Sequence, residues 1–144
     1  MHDPAKTRPP CTHRFTQRVY YEDTDASGLV YHARYLHFLE LARTEMLRGA
    51  GSDHRSLLAR EGLAFAVRLL TIEFLLPARL DDFLVVETGM TRHTGARIEL
   101  KQRVLREGAL LADCDLTLVC LDTNGRARRI PPALLDVFVA LAKP

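Results

Sequence analysis

The chain has 144 residues, nearly half of them hydrophobic, and a formal net charge of +2 at pH 7. This length suits one domain with a single core. The small charge, without a block of lysine and arginine among aromatic residues, argues against a nucleic-acid partner. No apolar run reaches the roughly 18–20 residues of a membrane span, and no basic segment precedes an apolar one at the N-terminus, so neither a membrane span nor a secretory signal is expected. The three cysteines lack CxxC spacing, which predicts free thiols, no zinc site and a cytoplasmic location.

The N-terminal region divides into a tail, a strand and a loop. Residues 1–13 carry three prolines and no apolar period, so we expect a mobile tail ahead of one domain that spans residues 14–144. Alternating apolar and polar side chains predict a first strand from Arg14 to Tyr21. An acidic loop that contains glycine follows, from Glu22 to Gly28.

A long helix is predicted from Val30 to Gly49. Its apolar residues recur at helical spacing and form a wide stripe, which indicates that the helix packs against a broad surface. The glycines at its end stop the helix, as glycine does beyond a last helical turn. A shorter helix is predicted over residues 52–61, with Ser52 as its N-cap.

The second half of the chain predicts a run of strands joined by short turns. The first of these is nearly all apolar, which predicts that both of its faces are covered. The third alternates cleanly, which indicates a sheet with one solvated face. A proline pair then opens a last helix that runs to about Ala142. One helix facing several antiparallel strands indicates an α+β domain, in which a curved sheet wraps a central helix. The predicted strands are 63–76, 82–91, 95–106 and 109–122.

The loop ahead of the long helix is the candidate for chemistry. Carboxylates on a turn just before a helix lie beside backbone N–H groups that lack intrahelical partners and carry partial positive charge. A base and an oxyanion site are therefore within reach of each other. Hydrolysis of an activated acyl group requires both.

The segment from Tyr21 to His32, followed by Tyr35 and by Glu40 to Arg48, resembles the hotdog-fold acyl-CoA thioesterases. The similarity is greatest to the Tol-Pal-associated branch of the 4-hydroxybenzoyl-CoA thioesterase family. It continues through Pro77–Asp82 and covers the chain from about Arg14 to its end. The resemblance implies a five-stranded antiparallel sheet around the central helix. It also implies edge-to-edge pairing of protomers into a homodimer or homotetramer, an active site at the protomer interface, an acyl-CoA substrate and no cofactor.

The resemblance also implies roles for individual residues. Asp25 takes the place of the family's catalytic aspartate, as general base or as nucleophile through a mixed anhydride. His32 begins the helix, where its backbone N–H is an oxyanion donor and its imidazole a candidate for orienting water or protonating the leaving thiolate. Tyr21 is expected to hydrogen-bond Asp25, and Asp23 to hold the loop through backbone N–H groups. Ser27 departs from the family, where close relatives often carry glycine.

Glu40 and a group of basic residues are further candidates for the site. Glu40 lies on the helix and is the second candidate base, although a pair with Arg43 or His37 is favoured. A basic group is expected to bind the phosphates of coenzyme A, because arginine suits bidentate phosphate contacts. For any single member a solvated position is the simpler interpretation. The group consists of Arg92, His93, Arg97, Arg126, Arg128 and Arg129.

Other functions stay open at this point. A hotdog hydratase or dehydratase acting on acyl-CoA or acyl carrier protein shares the fold, but the start of the long helix lacks the prolines typical of those enzymes. A non-catalytic partner of acyl carrier protein or of a division complex would suit the small positive charge. A metal site is disfavoured because nothing in the sequence aims its four candidate ligands at one point. Those candidates are Asp23, Asp25, His32 and His37.

Overall fold

A computed structural model describes residues 13–141. The predicted tail lies outside this range except for His13, which is the first residue of a strand and so belongs to the domain. The elements are β1 (His13–Arg18), α1 (His32–Gly49), α2 (His54–Glu61), β2 (Leu63–Phe74), β3 (Phe83–His93), β4 (Arg97–Arg106), β5 (Ala109–Asp122) and α3 (Pro132–Ala140).

The five strands form one antiparallel sheet in the order β1-β3-β4-β5-β2. α1 packs against β1 and β3 on one face of this sheet. The apolar side chains between the helix and the sheet form one continuous core. The predicted α+β architecture, a five-stranded antiparallel sheet around a long central helix, is confirmed.

The burial of α1 follows its wide apolar stripe. Phe38 and Leu39 are 1 % and 0 % exposed, and burial of each such side chain is worth about 1.5–3 kcal/mol. The Tyr35 hydroxyl accepts a 3.0 Å hydrogen bond from the Ala78 N–H, which ties the helix to the segment after β2. The predicted helix included Tyr31, which is the exposed N-cap residue just outside the observed helix. Over residues 13–141 no helix is both long and apolar enough to cross a membrane.

Each predicted boundary lies within two residues of the observed one except the end of β1, and the predicted cap of α2 is also wrong. β1 ends at Arg18, and Tyr21 begins a 3₁₀ turn that runs to Asp23. The cap of α2 is Asp53, whose carboxylate accepts a 2.7 Å hydrogen bond from the Ser56 N–H. The second error has a simple cause, because serine and aspartate cap helices about equally well and they are adjacent here.

β2 lies at an edge of the sheet, and its exposed side chains show that the prediction of two covered faces is wrong for the single protomer. β5 pairs with one side of β2, and no strand within residues 13–141 pairs with the other side. Apolar side chains along the strand remain exposed, with Leu69 at 63 % and Val67 at 46 %. An edge strand with exposed apolar side chains is a surface on which a further strand can pair.

The outer face of the sheet is less solvated than the alternation in β4 predicts. Arg103 and Glu87 are each 5 % exposed, and their charged groups lie 3.6 Å apart. Lys101 lies 3.2 Å from Asp113 and 3.0 Å from Asp115. Adjacent strands place opposite charges side by side, so these long side chains cover one another.

Candidate active site

Asp25 lies in a tight hairpin loop just before α1. Thr24 and Val30 form an isolated bridge, and the Asp25 N–H donates to the Leu29 carbonyl at 2.9 Å. Gly28 closes the loop with a φ of +80°, a conformation that strains residues with a side chain. The chain therefore returns on itself within a few residues, which places Asp25 opposite Leu29, three residues before the helix.

The Asp25 carboxylate is solvent-exposed and is held by Ser27. Its Oδ1 accepts hydrogen bonds from the Ser27 hydroxyl and, at 2.8 Å, from the Ser27 N–H. These two bonds, the hydroxyl first, hold the pKa of Asp25 below its ordinary value. No other hydrogen bond of standard geometry reaches this carboxylate from residues 13–141. Asp25 is therefore ionised at neutral pH, and Oδ2 is available to a substrate or a water molecule.

Asp23 anchors the loop to the helix. Its side chain is 1 % exposed, and its Oδ2 accepts a 2.8 Å hydrogen bond from the Tyr20 N–H, as the sequence predicts. Its Oδ1 accepts a hydrogen bond from Arg34 Nε, and its carbonyl accepts one from the Tyr31 N–H at 3.0 Å. Arg34 also lies 3.6 Å from Glu22. This buried carboxylate therefore fixes the position of the loop on the first turn of α1.

The N-terminus of α1 provides unused donors. The backbone N–H groups of His32 and Ala33 donate to no acceptor within residues 13–141. The His32 ring is exposed and contacts Tyr31 and Phe74, with ring centroids 4.5 Å and 6.4 Å away. His32 forms no side-chain hydrogen bond in the described part of the chain. It faces a groove of about 280 Å³ that we call the Phe74 groove, lined by Leu29, Val30, His32, Tyr35, Phe74, Leu75, Leu76 and Pro77.

Tyr21 is not placed as the sequence led us to expect. Its side chain is 84 % exposed, and among residues 13–141 its hydroxyl forms no hydrogen bond with Asp25. The cause is the 3₁₀ turn that replaces the end of the predicted strand, because it changes the direction of the chain at Tyr21. The Tyr21 carbonyl supports the loop instead, accepting bonds from the Thr24 N–H and hydroxyl at 3.1 Å and 2.8 Å.

A second cavity, of about 400 Å³, lies beside the C-terminal half of α1. Arg43 enters it as a partly buried cation and donates a 2.9 Å hydrogen bond to Gln102 Oε1. Burial lowers the pKa of Arg43. Glu40 also lines this cavity, but within residues 13–141 it forms neither of the alternative predicted ion pairs, with Arg43 or with His37. We call this the Arg43 cavity; it is lined by Glu40, Arg43, Met46, Leu47, His54, Ala64, Phe65, Val67, Leu118 and Phe138.

The predicted basic group is brought together in the structure. The Ile130 N–H donates to the Gly95 carbonyl at 2.9 Å, which joins the segment after β5 to the β3–β4 turn. Arg128 lies 2.7 Å from Asp122, so part of its charge is neutralised. A shallow cavity of about 140 Å³ lies between β3 and β4. The members that line this cavity are Arg92, His93 and Arg97, while Arg126, Arg128 and Arg129 lie on the adjoining segment.

This basic end is far from Asp25 within one protomer. The Asp25 loop lies at the start of β3, because the Val19 N–H bonds the Asp82 carbonyl there. The basic group begins at the other end of β3, 11 residues along. At about 3.3 Å per residue, the two regions are roughly 30 Å apart along the sheet. The basic group of one protomer therefore does not lie beside its own Asp25.

A metal centre receives no support from the described residues. Within residues 13–141 no group of three or more histidine, cysteine, aspartate or glutamate side chains is arranged to hold a metal ion. Asp23 is committed to Arg34 and to the Tyr20 N–H.

Comparisons with known proteins identify the family of this chain. The sequence profile of the Thioesterase-like superfamily matches residues 19–138. The acyl-CoA thioesterase YbgC of Haemophilus influenzae is 48 % identical over 75 % of this chain and 79 % of its own length. The acyl-CoA thioester hydrolase YbgC of Escherichia coli is 43 % identical over 87 % of this chain and 94 % of its own.

A solved structure has the same fold. A probable thioesterase from Bartonella henselae superposes with a TM-score of 0.82 at 40 % identity, covering 84 % of this chain and 100 % of its own. The profile and the two relatives each span most of this chain, so the match extends over the whole domain rather than one motif. The chain belongs to the Thioesterase-like superfamily and is a thioester hydrolase with the hotdog fold.

Proposed function

We propose that this enzyme hydrolyses acyl-CoA thioesters, with Asp25 as the residue that performs the chemistry. The observation that carries the proposal is an exposed, ionised carboxylate on a fixed loop, seven residues before the unused N–H donors that begin α1. The H. influenzae and E. coli relatives are acyl-CoA thioesterases by name, which supports the same substrate class here.

The proposed reaction requires only groups that this chain supplies. With Asp25 as general base, a water molecule loses a proton to the carboxylate and attacks the thioester carbonyl carbon. With Asp25 as nucleophile, the carboxylate attacks that carbon and water then cleaves the anhydride. In both routes the N–H groups of His32 and Ala33 stabilise the oxyanion, and the C–S bond breaks to release coenzyme A as a thiolate. A thiolate is a good leaving group, so protonation by His32 is helpful rather than essential.

We further propose that the complete site needs two protomers. The free edge of β2 carries exposed Leu69 and Phe74, and pairing of two such edges around a two-fold axis would cover them. Antiparallel pairing of the two strands places the end of one β2 beside the start of the other. The basic end of the partner then approaches Asp25, so the partner's basic group can meet the phosphates of coenzyme A. An acidic carrier protein would meet the same basic end.

Other features support smaller parts of the proposal. Cys114 and Cys120 are buried free thiols, which suits a reducing cytoplasm. Tyr21 is exposed beside the loop and is positioned to contact the substrate or the partner protomer rather than Asp25.

The test is thiol release from a panel of acyl-CoAs, from acetyl to palmitoyl with benzoyl and 4-hydroxybenzoyl. Asp25→Asn is compared with Glu22→Gln, which removes a charge of the same sign from the same loop. We expect kcat to fall at least about 100-fold in Asp25→Asn and to stay within about threefold in Glu22→Gln, because general base catalysis contributes about 10²–10⁴-fold. Full activity of Asp25→Asn would falsify the assignment and would point to Glu40 as the base.

Crotonyl-CoA separates hydrolysis from hydration. Loss of the absorbance of the conjugated bond without thiol release would identify a hydratase. Parallel assays with acyl carrier protein thioesters show which thiol carrier the enzyme prefers. Binding of that carrier without turnover of any thioester would indicate a non-catalytic role.

A further inference from the structure

Arg43 is a partly buried cation that forms no ion pair with a carboxylate of residues 13–141. In that part of the chain, its one side-chain partner is the amide of Gln102 at 2.9 Å. A guanidinium has five N–H donors, so most of them remain unused. Buried charges are normally paired, because the loss of hydration must be offset.

The amide of Gln102 holds this cation in place. Gln102 is fully buried, and its Nε2 donates to the Leu39 carbonyl at 3.1 Å and to the Thr88 hydroxyl at 2.9 Å. Because these two bonds fix the orientation of the amide, its Oε1 faces Arg43 and accepts the hydrogen bond from the guanidinium. The guanidinium is therefore positioned before any ligand arrives, which lowers the entropy cost of binding.

The walls of the Arg43 cavity are otherwise mainly apolar. Phe65 and Phe138 form an edge-to-face pair at 5.5 Å, and Met46 and Leu47 belong to the buried face of α1. A fixed cation beside apolar walls suits a ligand with an apolar body and a single anionic end, and Glu40 and His54 are the other polar side chains of the lining. A carboxylate matches one guanidinium, with two parallel hydrogen bonds. A phosphate carries more charge than one arginine neutralises.

The position of the cavity relates it to the acyl group of a substrate. The Phe74 groove lies at the end of β2 and the Arg43 cavity at its start, since Phe65 and Val67 line the latter. Antiparallel pairing of two β2 edges brings the groove of one protomer to the cavity of the other. An acyl group attached beside Asp25 would enter the Phe74 groove and continue into the partner's cavity.

We propose that the Arg43 cavity binds the far end of the acyl group and selects acyl chains that end in a carboxylate over chains that end in a methyl group. This inference rests on the proposed function for the route by which the acyl group reaches the cavity. Arg43 is then a specificity-determining residue. The negative charge of Glu40, which lines the same cavity, weakens the preference for a carboxylate.

Binding of two matched thioethers tests the proposal independently of catalysis. S-(3-carboxypropyl)-CoA and S-butyl-CoA have the same chain length, differ only at the terminal group and cannot be hydrolysed. We expect calorimetry on the wild-type protein to show that S-(3-carboxypropyl)-CoA binds at least tenfold more tightly than S-butyl-CoA. Equal affinities, tighter binding of the butyl compound, or no binding of either would overturn the proposal.

Variants separate Arg43 from a general charge effect. Arg43→Gln should reduce the affinity ratio to about one, and Arg43→Lys, which keeps the charge but loses the paired geometry, should give an intermediate ratio. Arg48→Gln is the matched control, because Arg48 lies on the same helix, is exposed and pairs with Glu45. An unchanged ratio in a folded Arg43→Gln protein contradicts the proposal. If Arg43→Gln does not fold, the Arg43→Lys ratio decides, and a value equal to the wild-type value contradicts it.

Hydrolysis of succinyl-CoA and butyryl-CoA, measured alongside, distinguishes the two proposals. Tight carboxylate binding without thiol release from any thioester would leave the cavity assignment in place and refute the proposed function. Hydrolysis of both thioesters, together with equal affinities for the two thioethers, would support the proposed function and refute the cavity assignment.

Discussion

Replacement of Arg34 by methionine should loosen the loop that carries Asp25. Arg34 is the charged partner of Asp23, whose side chain is 1 % exposed. Removing one partner of a buried ion pair costs about 3–5 kcal/mol, because the remaining charge is left without compensation. Arg34 itself is 32 % exposed, so water can partly replace it, and the Tyr20 N–H still bonds the carboxylate. We therefore expect a loss of about 2–3 kcal/mol in the free energy of unfolding, below the full cost of a buried pair.

The same substitution should lower activity. A displacement of the loop by about 1 Å can reduce a rate by up to 10²-fold, so we expect kcat to fall at least about tenfold. Urea denaturation and thiol release measure the two effects. Arg48→Met is the control, since its exposed pair with Glu45 contributes about 0–0.5 kcal/mol. A loss below about 1 kcal/mol, with kcat unchanged, would show that the Asp23–Arg34 contact does not hold the loop.

Three further outcomes follow from the structure. Ser27→Ala loses the hydroxyl bond, which raises the pKa of Asp25 and moves the acidic limb of the kcat/KM pH profile to higher pH. Ser27→Thr keeps a hydroxyl and should leave the limb in place. An unmoved limb in Ser27→Ala contradicts the role of the hydroxyl. Burial raises the pKa of Cys114 to about 12, so peptide mass spectrometry after alkylation at pH 8 should find it unmodified in the native protein and modified in urea. Phe138→Ala should lower the free energy of unfolding, measured by urea denaturation, by about 3–5 kcal/mol. Leu58→Ala, at an exposed position, should lower it far less. Similar losses in the two variants would place α3 outside the core.

The fold could be predicted because local patterns and global architecture agree. The wide apolar stripe of α1 is covered by the sheet, and the proline pair opens α3, as both sequence patterns predict. β2 shows the limit, since its apolar sequence led to an interpretation as a covered strand whereas the protomer exposes Leu69. The side chains were assigned correctly as apolar, but a single sequence does not show which surface covers them.

The candidate site could be predicted only where it is local in sequence. Asp25 and the helix start lie within a few residues of each other, so their proximity follows from the turn. Arg34 was missed because its partner is 11 residues away and the pairing depends on how the loop lies on the helix. Arg43 was considered only as a partner of Glu40, because its contact with Gln102 joins elements 59 residues apart.

The chemical step at Asp25 is the most direct test of the account. A single-turnover measurement with enzyme in excess over a hydrolysed acyl-CoA removes product release from the observed rate. We predict that thioester cleavage is at least about 100-fold slower in Asp25→Asn and unchanged within about twofold in Glu22→Gln. Cleavage by Asp25→Asn within tenfold of the wild-type rate would contradict the claim that this carboxylate performs the chemistry.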